Sequence, residues 1–291
     1  MRGLQRLVRD RPLAAVLATL VAGLFISMRM AIRDWPWEAV FFAQPVVVLL
    51  IWFIMAKRNL HDLGFHRWDQ AVGSAPAVRD SAMGADIRSG AQRPRAFVAA
   101  LVVAGLLTGI SGAVFLMTGA TTPMGVWLPR AAFFGALGAV VIGCLATALP
   151  EELVYRGVLV RLTENKWPLV GVILLSGALF SAAHAPNLAA QNGSATWIGL
   201  RFAELLIFGC VLAWAAVRTG SLWVPLGWHM GSNLAGVFIE LVWVPQTVAL
   251  WPVALTSMVL SLGVIPLVLF LERHPAKAVP VWHPRTVLPA E

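Results

Sequence analysis

Three short stretches set ionisable side chains into otherwise apolar sequence: PEELVYRG at Pro150–Gly157, FSAAH at Phe180–His184 and HMGSN at His229–Asn233. Each contains a pair four residues apart: Glu152 with Arg156, Phe180 with His184, and His229 with Asn233. On a helix, positions i and i+4 share a face, so each stretch would direct a stripe toward one interior. Two glutamates, two histidines and an asparagine could meet there. The adjacent acids cannot share one task, because successive helical residues point about 100° apart. Glu152 has Arg156 one turn along its own face and is its natural ion-pair partner. Glu151 has no such cation beside it, and a desolvated carboxylate of that kind can serve as a general base. His184 and His229 can act as ligands or as acid and base groups near neutral pH. Asn233 offers the amide donor that a developing oxyanion needs. A glutamate, a water and donors opposite a carbonyl make a peptide hydrolase without a covalent intermediate. Glu151, His184 and His229 are also an acceptable zinc set, although no HExxH motif is present.

Each pair has a plainer reading. A lone histidine at a helix end usually packs, a Glu–Arg pair at i+4 usually bridges, and an asparagine within a span often joins helices. An ionisable residue at membrane depth nevertheless costs about 2.5–3.5 kcal/mol on insertion scales. Three such pairs within one short stretch of chain point to a built site. Glu204 and Glu240, near span ends, and the single amide Gln44 read as packing or interface residues, with Glu204 also placed to line a cavity.

The surrounding sequence decides what positions these residues. Of the 291 residues, 59% are hydrophobic and 12% charged, against about 25% charged in soluble domains. Mean hydropathy is +0.78. The fold class expected is all-α, a multispanning transmembrane helix bundle. About eight spans are expected: Leu13–Met30, Trp37–Met55, Phe97–Met117, Ala131–Val160, Trp167–His184, Phe202–Val217, Leu222–Ile239 and Val248–Leu271. The fourth is too long for one straight crossing and should tilt or kink at Pro150. The fifth and sixth are short and should tilt or extend further than hydropathy shows. The net charge of +8 lies between apolar runs, as the positive-inside rule predicts, and does not indicate nucleic acid. It places both termini in the cytoplasm, with an uncleaved first helix. Cys144 and Cys210 read as small buried hydrophobes without a disulfide or metal spacing. The expected organisation is N-terminal helices over 1–130 with a basic cytoplasmic loop over 56–96, a catalytic core over 131–240, a last transmembrane helix over 241–273, and a disordered cytoplasmic tail over 274–291. Within the loop, Ala71–Gln92 reads as flexible.

EELVYRG, FSAAH and HMGSN, in that order, resemble the CPBP family of intramembrane proteases, which includes the CAAX prenyl-protein endopeptidases and the bacteriocin-processing and Abi-type membrane proteins. The family pattern is EExxxR, then FxxxH, then HxxxN, and the resemblance covers about residues 140–240. It implies an eight-helix bundle around a conical, water-filled cavity. By that resemblance Glu151 and His184 activate the attacking water, His229 and Asn233 stabilise the tetrahedral oxyanion, and Glu152 and Arg156 hold the site in shape. Phe180 would support it, and zinc, if used, would sit on Glu151, His184 and His229.

The expected protein is therefore a multipass intramembrane endopeptidase in a bacterial cell membrane. It would act on a membrane-associated protein or peptide, of lipidated CAAX type or another, with membrane lipids as its other partners. A non-catalytic scaffold or immunity protein on the same fold is the first rival. A proton-coupled transporter is the second, weakened by the absence of paired inverted halves. These residues do not specify the substrate, the use of zinc or the oligomeric state.

Overall fold

A computed structural model describes residues 10–36, 38–55, 94–119, 121–124, 130–164, 166–191, 193–242, 244–247 and 250–273. The expectations for most of the basic loop (56–93), for the tail (274–291) and for the first nine residues lie outside the described residues. Helices α1 (Pro12–Ile32) and α2 (Glu38–Leu50, continued by a π-helical turn at Ile51–Met55) are followed by α3 (Pro94–Met117) and a short strand β1 (Thr121–Met124). Next come α4 (Arg130–Glu152), a π-helical stretch at Leu153–Leu159, and α5 (Val160–Thr163). The chain continues with α6 (Leu169–Ala183), α7 (Ala185–Ala190), α8 (Ala195–Thr219) and α9 (Trp223–Val242). It ends in strand β2 (Val244–Thr247) and helices α10 (Leu250–Ser261) and α11 (Val264–Arg273).

All eight expected windows fall on helical segments, and the protein is an all-α multispanning membrane bundle. Among the described residues, six helical segments are long and apolar enough to cross a membrane. Glu38–Phe53 is apolar but short. Helix α9 is not among the six, since His229, Ser232 and Asn233 dilute its apolar run. Large apolar side chains face outward, such as Phe25 at 72% and Ile142 at 70% exposed. Such a surface suits lipid rather than water. The fifth and sixth windows do extend, to Leu169–Ala190 and Ala195–Thr219. The fourth runs through Pro150 as helix and changes its winding just beyond, at Leu153.

A feature that hydropathy does not reveal is a two-stranded antiparallel ribbon, with Thr121 opposite Thr247 and Met124 opposite Val244. It joins the ends of α3 and α9, which run parallel. Gly227 and Gly231 of α9 lie against the backbone of Phe97 and Leu101, and Gly112 of α3 lies against Ile239. Ala96, Ala100 and Ala104 complete the small-residue seam. Without a hydrophobic drive between helices in lipid, such close backbone approach supplies the packing energy. Gly220, at φ 64°, ends α8 in the left-handed conformation and turns the chain back into α9. Helices α6 and α8 meet where Gly209 packs on Gly177, and the Ser181 hydroxyl donates to the Phe202 carbonyl at 2.8 Å.

Gly231→Val would drive a methyl group into the Leu101 carbonyl and should lower stability by about 1–3 kcal/mol, the usual cost of overpacking. Gly236→Ala on the same helix, where a Cβ meets nothing within 4 Å, should not lower it. Thermal melting of both variants in detergent checks the seam.

Candidate active site

The site begins at the change of winding in the fourth span. Pro150 has no N–H and cannot close the helical bond to the residue four before it. Directly after Glu152 the backbone widens into π-helix over Leu153–Leu159, a distortion often found at functional sites. Ser176 of α6 donates to the Tyr155 carbonyl of this stretch at 3.0 Å. The widened segment is buried throughout, so its one cation must be satisfied internally. Arg156 donates from Nη1 to Glu152 Oε1 at 2.9 Å, both side chains being fully buried. Its Nη2 reaches the Gly209 carbonyl at 3.4 Å. Its guanidinium lies over the Phe180 ring, 4.4 Å from the centroid, a cation–π contact that is stronger when desolvated.

Glu152 also holds a histidine. His229 Nδ1 lies 2.7 Å from the same Oε1 that accepts Arg156. A carboxylate only accepts, so Nδ1 carries a proton, and in the neutral ring Nε2 presents its lone pair. That Nε2 faces Glu151 Oε2 at 3.6 Å. His184, at the junction of α6 and α7, is set the same way. Its Nδ1 donates to the Phe180 carbonyl at 2.9 Å, and its Nε2 faces Glu151 Oε1 at 4.0 Å. Two imidazole lone pairs and a carboxylate therefore surround one small space. Phe180 closes the rear of it, with ring centroids 4.7 Å from His184 and 5.9 Å from His229. Phe208 sits edge-on to His229 at 5.2 Å.

Glu151, His184, His229 and Asn233 line one cavity of about 860 Å³. Glu151 and His229 are buried, at 6% and 4% exposed. Asn233 lies one helical turn beyond His229 on the same wall. Glu152 and Arg156 lie behind the cavity rather than in it. Glu204 lines the cavity as well, bonded to Arg201 and to the Ser257 hydroxyl. The side chain of Glu240 lies outside the described residues.

The residues 133–235 match the family model described as type II CAAX prenyl endopeptidase Rce1-like. This stretch is similar to that family. The Rce1-like stretch contains Glu151, Glu152, Arg156, Phe180, His184, His229 and Asn233. A curated relative, the uncharacterized protein YyaK of Bacillus subtilis (strain 168), is 37% identical over 106 residues, covering 35% of this chain and 33% of that protein. The match thus spans about a third of that relative.

Three contacts within the Rce1-like stretch could not be read from spacing. Glu152 bonds His229 across 77 positions, Arg156 bonds the Gly209 carbonyl across 53, and Phe208 packs on His229. The spacing of Gly227 and Gly231 around His229 is the sequence signal for a close helix contact at this site. The donor types of Glu151, His184 and His229 suit zinc. As they stand, however, no three His, Cys, Asp or Glu side chains among the described residues form a group able to hold an ion.

Glu152→Ala should be the most damaging change here. It removes the acceptor of both Arg156 and His229 and leaves a buried guanidinium unpaired, a loss of about 3–5 kcal/mol. Glu151→Gln should keep the fold, since Glu151 faces the cavity. Purification yield and melting temperature of the two proteins separate the roles.

Proposed function

We propose that this protein is an intramembrane endopeptidase that hydrolyses a peptide bond in a membrane-associated protein or peptide. The observation that carries this reading is the space between Glu151 and the two Nε2 atoms. Glu151 faces the two Nε2 atoms across 4.0 and 3.6 Å; in the neutral rings these nitrogens accept, as the carboxylate does, and a water molecule, with two protons to give, suits the position between them.

In this scheme Glu151 takes a proton from the water, with His184 accepting its other hydrogen and holding it in line. The water oxygen attacks the carbonyl carbon of the scissile peptide, and the carbonyl electron pair moves to oxygen. The Asn233 amide donates to that oxyanion. His229 joins it when Nε2 carries a proton, because the Glu152 carboxylate on Nδ1 balances the added charge. The tetrahedral adduct collapses as the C–N bond breaks, and Glu151 returns its proton to the leaving amine. Arg156 and Phe180 fix Glu152 and both rings, so that little reorganisation accompanies the reaction. The similarity of the central stretch to that family supports a protease in general. The glutamate-based chemistry rests on the arrangement of these side chains.

Turnover of an internally quenched membrane-anchored peptide, in proteoliposomes, tests the scheme. Glu151→Gln should lose about 10²–10⁴ in rate, the span attributed to general acid–base catalysis. Asn233→Ala should lose about 10²–10³, the worth of one oxyanion donor. Chelator-treated protein should keep its activity. Loss that only added zinc restores would replace the metal-free scheme, and a wild-type protein that folds without turning over such peptides would favour a scaffold.

A further inference from the structure

The cavity has a direction. Its walls come from the second half of α3, α9 from Trp228 onward, the first half of α8 and α10, together with the stretch of α4 leading to Glu151. Helices α3 and α9 both end at the β1–β2 ribbon, and α4 and α10 both start from it. The cavity therefore extends from the site toward the ribbon end of the bundle. Exposed polar side chains, Glu38 and Asn187, line the cavity along with buried Glu151 and His229.

The opposite end is nearer to the reacting groups and is closed. His229 is six residues into α9, about 9 Å from the start of that helix at 1.5 Å per residue. Leu153, Val154, Tyr155, Val158, Leu159 and Leu222 form a buried layer beneath the site. Glu151, by contrast, lies 21 residues along from Arg130, about 30 Å by the same rise. The site is thus the floor of a shaft, deep along α4 and shallow along α7, where exposed Asn187 lies three residues beyond His184.

The closed end is also the basic end. Arg95 precedes the seam of α3, and Arg218 at the end of α8 pairs with Glu272 at the end of α11 at 2.9 Å. Arg11, Arg161, Lys166 and Arg273 lie at helix termini on that side. In the sequence, Lys57 and Arg58 follow Met55 within three residues, Arg93 directly precedes Pro94, and Lys277 follows Arg273 within four residues. Among the described residues, the basic ones at the ribbon end are Arg29, Arg33, Arg130 and Arg201, the last paired with Glu204. An excess of Lys and Arg marks the cytoplasmic side.

We infer that the shaft opens to the non-cytoplasmic side of the membrane, and that its substrate is a peptide segment presented from that side. This rests on the peptidase reading for the word substrate, but the direction of access does not. It sets the protein apart from a processor of cytoplasmic, C-terminally lipidated chains, since such a terminus would meet the sealed floor. A segment exposed outside the membrane, or the outer end of a membrane helix, would enter from the mouth.

Cysteine accessibility tests this without any need for turnover. In the full-length Cys144→Ala, Cys210→Ala protein, Asn187→Cys places a thiol at the mouth, Ser232→Cys one inside the shaft, and Lys166→Cys one at the basic end. A membrane-impermeant maleimide should label Asn187→Cys in right-side-out vesicles and lose that labelling in inverted ones. Lys166→Cys should show the reverse. Ser232→Cys should follow Asn187→Cys, so that if one of the pair folds poorly the other decides. Labelling of Asn187→Cys or Ser232→Cys only in inverted vesicles, or of neither from the outer side, overturns the inference. Outward labelling without peptide turnover would leave the direction standing and remove the peptidase reading alone.

Discussion

The structure depends on keeping a guanidinium charge inside a lipid-embedded bundle. Arg156 is fully buried, and no bulk water can solvate it there, so each of its contacts becomes a constraint on another element. Glu152 must lie one turn back on the same span. The Gly209 carbonyl must come close, which draws in α8. The Phe180 ring must lie under the guanidinium, which draws in α6. Because Glu152 Oε1 also binds His229, the same charge positions α9. An unpaired charge would be costly here, so these elements are coupled through one cluster.

That coupling explains why the two adjacent glutamates behave so differently. Glu152 spends one oxygen on two donors, and neither donor can leave without stranding the others. Glu151, turned about 100° around the helix, faces the Nε2 atoms of two imidazoles. The cluster behind it fixes both rings, directly at His229 and through Phe180 at His184. Rigidity on one side of the span thus shapes the cavity wall on the other. Small residues do the remaining work. Gly227 and Gly231 flank His229 and let α9 approach α3 to backbone contact, which sets the depth at which the ring enters the cavity.

Much of this was legible in the chain itself. Lipid imposes one simple demand, internal satisfaction of every backbone bond, and a composition of 59% hydrophobic residues left little alternative to helices. All eight apolar windows became helical segments. The polar residues that broke those windows were conspicuous because their cost in lipid is high, and spacing of four paired Glu152 with Arg156 correctly. Helix ends were less legible, as the extension of the fifth span through Ala190 and the change of winding after Pro150 show. Hydropathy measures transfer and says nothing of winding.

By itself, then, the sequence determined the class of fold, the candidate residues and their local pairs, because these follow from side-chain chemistry and helical period. Only the tertiary structure decided what lies across the bundle from what: Glu152 against His229, Arg156 against the Gly209 carbonyl, and Arg201 and Glu204 on the wall of the same cavity. It alone decided which end of the cavity is closed. Those relations depend on helix-to-helix packing through Gly177, Gly209, Gly227 and Gly231, where the absence of a side chain sets the distance. A local pattern can mark such a residue, but it cannot name the backbone that will come to meet it.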